Sequence, residues 1–268
     1  MEALFEYIQL ERHLLAAVIG MPRIMMILTF CPFLASSIVS GQLKFTVGLS
    51  LYIIVHPTVY PLVAQNPDLT TWDMFFFAAL AAKEALVGFI IAFISGAVFW
   101  AAQSAGILMD NQRGASSASL TDPLSAEEST PLGSFMFQSL VYLFFISGAF
   151  TAFLALVWQS YVVWPVALWF PGVPDDLPLF IVQITDWLML NMLLLAGPVL
   201  AASLLTDLSL GLINRFAAQL NVYVLAMPIK SGLTMFIVLV YYGIFLREGP
   251  DLFVSIRENI EHIWRIWL

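Results

Sequence analysis

The sequence predicts an all-α, polytopic membrane protein, and three observations carry that prediction. Hydrophobic residues make up 61% of the chain and charged residues only 10%, with a mean hydropathy of +0.91. Soluble domains carry roughly 25% charged residues, and no soluble fold hides this much apolar surface. The apolar residues also gather into stretches, at 14–34, 45–64, 74–109, 132–170, 187–206 and 222–246. A spanning helix needs about 20 such residues, so about six segments are expected. Finally, many acidic residues sit in short connectors, as Asp68, Asp73, Asp175, Asp176 and Asp186 do.

The N-terminal residues carry Glu2, Glu6 and Glu11 and no basic residue before Arg12. A cleaved signal peptide wants a positive start, so the stretch 14–34 is expected to stay as an anchor. It contains Arg23, after Pro22 and among Met21, Met25 and Met26. A cation in an apolar run either reaches out to a surface or faces a protein interior. Cys31 is the single cysteine, which rules out a disulfide framework or a thiolate metal site within one chain and leaves a small core-packed thiol. The stretch 45–64 reads as one span.

The stretches 74–109 and 132–170 are too long for one perpendicular span. Each reads as a long tilted helix, a helix running beyond the bilayer, or a bent hairpin. The first of them holds Lys83 and Glu84, expected at an interface or paired with neighbouring helices. It also holds Gly88, Ala92 and Gly96, a face of small side chains that lets another helix approach closely. Gly197 and Ala201 repeat that pattern weakly. Pro171, Pro174 and Pro178 around Asp175 and Asp176 mark a stiff loop. The last stretch carries Met227-Pro228-Ile229-Lys230-Ser231-Gly232. Two readings stand: a broken helix holding a cation among protein or water, or a proline kink with Lys230 bonded to a neighbour's carbonyl.

From Asp251 onward, Leu252, Phe253, Ile256, Ile260, Ile263, Trp264 and Trp267 form a helical stripe, while Ser255, Arg257, Glu258, Glu261 and Arg265 take the other face. This predicts an amphipathic helix that lies on the membrane or docks a partner. The chain therefore divides into an integral-membrane domain, 1–246, and a tail, 247–268.

Between two of the longest apolar tracts lies a polar loop of small residues: Asp110-Asn111-Gln112-Arg113-Gly114-Ala115-Ser116-Ser117-Ala118-Ser119, then Asp122-Pro123 and Glu127-Glu128. A lipid-facing backbone cannot stay unpaired, so such a loop lies outside the bilayer or lines a protein cavity. Lys44, Arg113 and Arg215 fall on one side of the predicted membrane, and the positive-inside rule places that side in the cytoplasm. The terminal arginines Arg12, Arg247, Arg257 and Arg265 pull the opposite way.

Composition and motifs exclude several functions. A net charge of −8 without a clustered basic face argues against nucleic acid. HExxH, GxSxG and nucleotide-binding glycine motifs are missing, and His13, His56 and His262 lie far apart in the sequence. Asp110 and Asp207 sit at segment edges, unlike a mid-membrane aspartate pair. No catalytic residue, cofactor or metal is expected. A secondary transporter built around Pro228 and Lys230 is an alternative. It predicts inverted repeats, and none is evident.

Three segments carry a resemblance. Asp110-Asn111-Gln112-Arg113-Gly114 is similar to the T component of the type III secretion export apparatus, the SpaR/YscT/FliR family. So is Leu212-Ile213-Asn214-Arg215-Phe216-Ala217-Ala218-Gln219-Leu220-Asn221, although the family usually has proline where this chain has Ala218. Val224-Leu225-Ala226-Met227-Pro228-Ile229-Lys230-Ser231 resembles the injectisome branch more than the flagellar one.

The resemblance implies a subunit of a helical export gate in the bacterial inner membrane, with its apolar segments forming bent hairpins. The implied partners are P/R-type and Q/S-type subunits, a U-type switch protein, membrane lipid, and unfolded secreted proteins in transit. It further implies that the loop from Asp110 to Pro123, including Asn111, Gln112, Arg113, Gly114, Ser116, Ser117 and Ser119, plugs the closed pore. Gly88, Ala92, Gly96, Asn214, Arg215, Asn221, Pro228 and Lys230 are the expected packing and assembly positions.

Overall fold

A computed structural model of the chain describes residues 2–34, 41–65, 74–114, 130–169, 177–217 and 222–267. All regular structure among them is helical. The order is α1 (Glu2–Phe30), a short 3-10 turn (Pro32–Leu34), α2 (Gly41–Gln65), α3 (Met74–Gln112), α4 (Pro131–Ile146), α5 (Ala149–Val163), α6 (Leu177–Phe216) and α7 (Val222–Trp267). Five of these helices are long and apolar enough to cross a membrane, and six spans result if α4 and α5 count as one bent span.

The two overlong tracts resolve differently. The first is a single unbroken helix of 39 residues, α3. At about 1.5 Å per residue it is about 58 Å long, nearly twice the hydrocarbon thickness of about 30 Å. Of the three readings for this tract, the bent hairpin is the one not formed. The second tract does break, into α4 and α5. Gly148 makes the corner at φ 78°, a left-handed conformation that glycine adopts without a Cβ penalty. α6 and α7 also extend well beyond the expected spans, to 40 and 46 residues. The helix α7 runs unbroken through Pro228, Arg247 and Pro250.

The chain divides into two compact units. One comprises Met1–Gly96, Gly148–Ile181 and Ser255–Leu268; the other comprises Ala97–Ser147 and Val182–Val254. In the first, Leu15, Ile19, Ile24 and Leu28 of α1 meet Tyr52, Val55, Val59 and Val63 of α2 in one core, joined by Leu80, Tyr161 and Val166. The spacing of three or four residues along α2 is what puts a single stripe inside. Cys31 is buried, as expected for a small packed thiol.

In the second unit, the rings of Phe99, Phe144 and Phe253 pack mutually, with centroids 5.2–6.0 Å apart. Tyr242 donates to the Ser139 hydroxyl at 3.0 Å. Gly106 lets α3 cross α4 closely: a Cβ there would meet the Gly133 Cα at 2.6 Å. The spans also differ in burial. The apolar window of α3 is 67% buried, against 17% for α6 and 11% for α7. The faces of α6 and α7 thus need lipid or another protein to cover them.

Candidate functional site

Asp110 stands in the last turn of α3 with no exposed surface. Its Oδ1 accepts from Arg113 Nε at 2.6 Å, and Arg113 Nη2 lies at the same distance. Its Oδ2 accepts from the backbone amide of Leu132, in the first turn of α4, at 2.7 Å. One buried carboxylate therefore joins the two ends of the segment 115–129. The far end is further ordered by Thr130, the N-cap of α4, whose hydroxyl accepts from the Gly133 amide at 3.2 Å, with Pro131 following it. At the near end, Gly114 stops α3 at φ 83°, its amide donating to the Asn111 carbonyl at 3.1 Å.

Asp110, Asn111 and Gln112 are thus helical residues and not loop, while Arg113 and Gly114 form the turn. The helix continues three residues beyond the apolar tract because its polar last turn finds partners within the unit. Ser116, Ser117 and Ser119 lie outside the described residues, as does Asn221.

Lys230 reaches this same corner from α7. Its ammonium lies 2.5 and 2.6 Å from the two carboxylate oxygens of Asp207 on α6, and 3.4 Å from the carbonyl of Gln112, 118 positions away. Gln112 is in the last turn of α3, where carbonyls have no intrahelical donor, so the cation satisfies an orphan acceptor. Met227, one turn earlier on α7, stands beside Gly114, with its Sδ 3.8 Å from where a Cβ would be. Two of the three segments singled out in the sequence therefore meet. Of the two readings at Pro228, the broken helix is absent: α7 continues through the proline, and Lys230 does reach a neighbour's carbonyl. Asp207, at the segment edge, is its closer partner. A transporter site would need a free cation at a helix break, and Lys230 is neither free nor at a break.

Gly88, Ala92 and Gly96 are buried along α3. A Cβ at Gly88 would fall on the carbonyl oxygen of Arg23, with Met26 Cβ at 3.0 Å, so the small face there receives the α1 backbone. Asn214 and Arg215 lie exposed in the last turn of α6.

The densest polar cluster is elsewhere, and sequence reasoning did not rank it. Arg23 has no exposed surface and does not reach outward. Its Nε and Nη2 donate to the two oxygens of Glu84 at 2.7 and 3.0 Å. Nη1 donates to the carbonyl and hydroxyl of Ser160 at 2.7 and 3.1 Å, and Nη2 also donates to the Trp164 carbonyl at 2.9 Å. These five contacts use the whole guanidinium donor set, and the group lies 4.2 Å from the Tyr161 ring centroid. Lys83 contacts Glu84 at 2.6 Å and donates to the carbonyls of Val166 and Leu168, each at 2.9 Å.

The reason for two cations and one carboxylate lies in the backbone. Past α5 the chain at 164–169 is not helical, and its carbonyls would be orphaned in an apolar interior. Arg23 and Lys83 supply the donors, while Glu84 offsets one of the two positive charges. The signal was present in the sequence, as three charges inside apolar runs, but their common target was not.

The histidines are also placed anew. His13 Nδ1 and His56 Nε2, far apart in sequence, lie 2.9 Å apart, with His13 stacked on Tyr60 and Tyr52 hydrogen-bonded to His56. Among the described residues no group of three or more metal-ligating side chains forms.

Comparison with known proteins points one way. The family described as bacterial export proteins, family 1, matches residues 14–255. The chain is 38% identical over 235 residues to Yop proteins translocation protein T of Yersinia pestis, covering 87% of each chain. It is 30% identical over 247 residues to the surface presentation of antigens protein SpaR of Salmonella typhimurium, covering 91% of this chain and 89% of that one. With the flagellar biosynthetic protein FliR of Bacillus subtilis the identity is 31% over 186 residues, covering 69% and 71%.

Proposed function

The chain belongs to the bacterial export proteins, family 1, and from that premise we propose that it is the T-type subunit of a type III secretion export gate. It is a non-enzymatic, multi-pass component of the bacterial inner membrane. Its similarity to the translocation protein T and SpaR relatives covers more of the chain than that to FliR, which favours the injectisome branch.

Within the gate, the segment 115–129 acts as the plug, with Gly114 as its near pivot. One observation carries this reading: the buried Asp110 carboxylate holds both ends of the segment, from Arg113 and from the Leu132 amide. Pinning both ends at one carboxylate keeps the terminal turns of α3 and α4 intact while the gate works. Its Ala and Ser residues offer little bulk to obstruct a passing chain. P/R-type and Q/S-type subunits cover the apolar faces of α6 and α7, and residues 247–268 dock the U-type switch protein. Unfolded substrates pass the segment, driven by energy supplied elsewhere in the machine.

The test is an Asp110→Ala variant in cells, read by secreted protein and by leakage of small ions across the inner membrane. The reading requires loss of regulated secretion together with increased leak, at unchanged complex yield. Normal secretion with a tight membrane would overturn it.

A further inference from the structure

In the first unit, α1, α2 and α5 leave a cavity of about 370 Å³ between them. Its walls include Ile27, Leu28, Leu51, Ile54, Phe153 and Trp158, and no charged side chain lines it. The volume falls within the range of roughly 300–1,000 Å³ typical of ligand sites. Water has no partners in such a space. Ile54 and Trp158 are exposed at its rim, so it is open to the outside. Because α1 and α2 are membrane-length helices, that opening meets hydrocarbon.

Lys44 lies at one end. It stands one turn before Val47 on the stripe Lys44–Val47–Leu51–Val55, of which the last three line the cavity. It is only 8% exposed, and among the described residues it makes no hydrogen bond or ion pair. α2 has no acidic residue, α5 has none, and neither does α1 from Met21 onward. No carboxylate on these stretches competes for its ammonium, so an anion from outside is drawn there. The positive end of the α2 dipole adds to the attraction.

The space is slender. α1 and α2 touch beside it at Gly48, where a Cβ would meet Met25 Sδ at 2.8 Å. A helix about 10 Å across has no room between them, whereas one hydrocarbon chain does. We propose that this cavity holds an acyl chain of an anionic phospholipid, with the lipid phosphate against Lys44.

The test uses the full-length protein in nanodiscs containing diazirine-acyl phosphatidylglycerol or diazirine-acyl phosphatidylcholine, with cross-links mapped by mass spectrometry. The expected result is labelling on α2 and α5 about fivefold stronger from phosphatidylglycerol, as one lysine at an anionic lipid supplies. Lys44→Gln should abolish the preference. Leu51→Trp should fill the cavity and remove the α2 and α5 labels from both lipids. The apolar faces of α6 and α7 should label alike with either lipid in every variant, which reports that the protein is intact. Equal labelling of α2 and α5 by the two lipids would overturn the proposal, as would an unchanged preference in Lys44→Gln. So would cross-links from Trp158, replaced by a photoreactive residue in the assembled gate, that reach another subunit and not lipid.

Discussion

Asp110 and Leu132 stand 22 positions apart, yet the carboxylate of one accepts the amide of the other at 2.7 Å with no solvent between them. This contact, with Arg113 on the other oxygen, makes Asp110 the clasp of the intervening segment. Replacement by alanine leaves a buried amide and a guanidinium unpaired, at about 1–3 kcal/mol for each uncharged group and more for the charged one. Asp110→Asn keeps the size and one acceptor, so it should fall between wild type and Asp110→Ala. Secretion and ion leak, measured side by side in the two variants, check that order.

Gly114 is held at φ 83°, with open space at ordinary contact distance from Met227. A side chain there is strained by backbone and not by crowding, at about 1–2 kcal/mol. Gly114→Asp should therefore impair secretion while the complex assembles at normal yield. Normal export by that variant would remove the glycine from the mechanism.

Arg23, Glu84 and Lys83 form a buried set in which removal of one member should be severe, about 3–5 kcal/mol. Arg23→Met is expected to lower the yield and thermal stability of the detergent-extracted protein. A simple buried ion pair can often be replaced by apolar residues without loss. Here the triple variant Arg23→Met, Lys83→Met, Glu84→Leu should not recover stability, because the carbonyls of Trp164, Val166 and Leu168 would lose their donors. Recovery would show that the backbone satisfaction matters less than charge balance.

Lys230 and Asp207 make a different kind of pair. The aspartate side chain is 47% exposed, so their attraction is screened and is worth about 0–1 kcal/mol. Single neutralisations should leave folding almost unchanged. If the pair positions Gln112 and the segment beyond it, each should still reduce secretion, and the reversed pair Asp207→Lys with Lys230→Asp should restore part of it. No loss in either single variant would confine the pair to packing.

Cys31 is fully buried, so its thiol is closed to reagents in the folded state. Maleimide should label Cys31 slowly in the native protein between pH 6 and 8, and rapidly once the protein is denatured. Fast native labelling would place the thiol outside the core.

The sequence alone determined that this is a helical membrane protein, that about six apolar segments compose it, and which charges stand in apolar surroundings. Those properties are sums over neighbouring residues, and hydropathy within a window of one helix expresses them directly. It did not determine whether a long apolar tract stays one helix. α3 is one unbroken helix and the α4–α5 tract is not, and the break falls at Gly148, whose φ of 78° ends the helical run.

Only the tertiary structure decided what the charges are for. Arg23 finds Glu84 at 61 positions' distance and Ser160 at 137, while Lys230 finds Gln112 at 118. The physical reason is that each of these groups answers a carbonyl or carboxylate left without a partner. Which backbone groups are left over is known only once the helices have ended and packed.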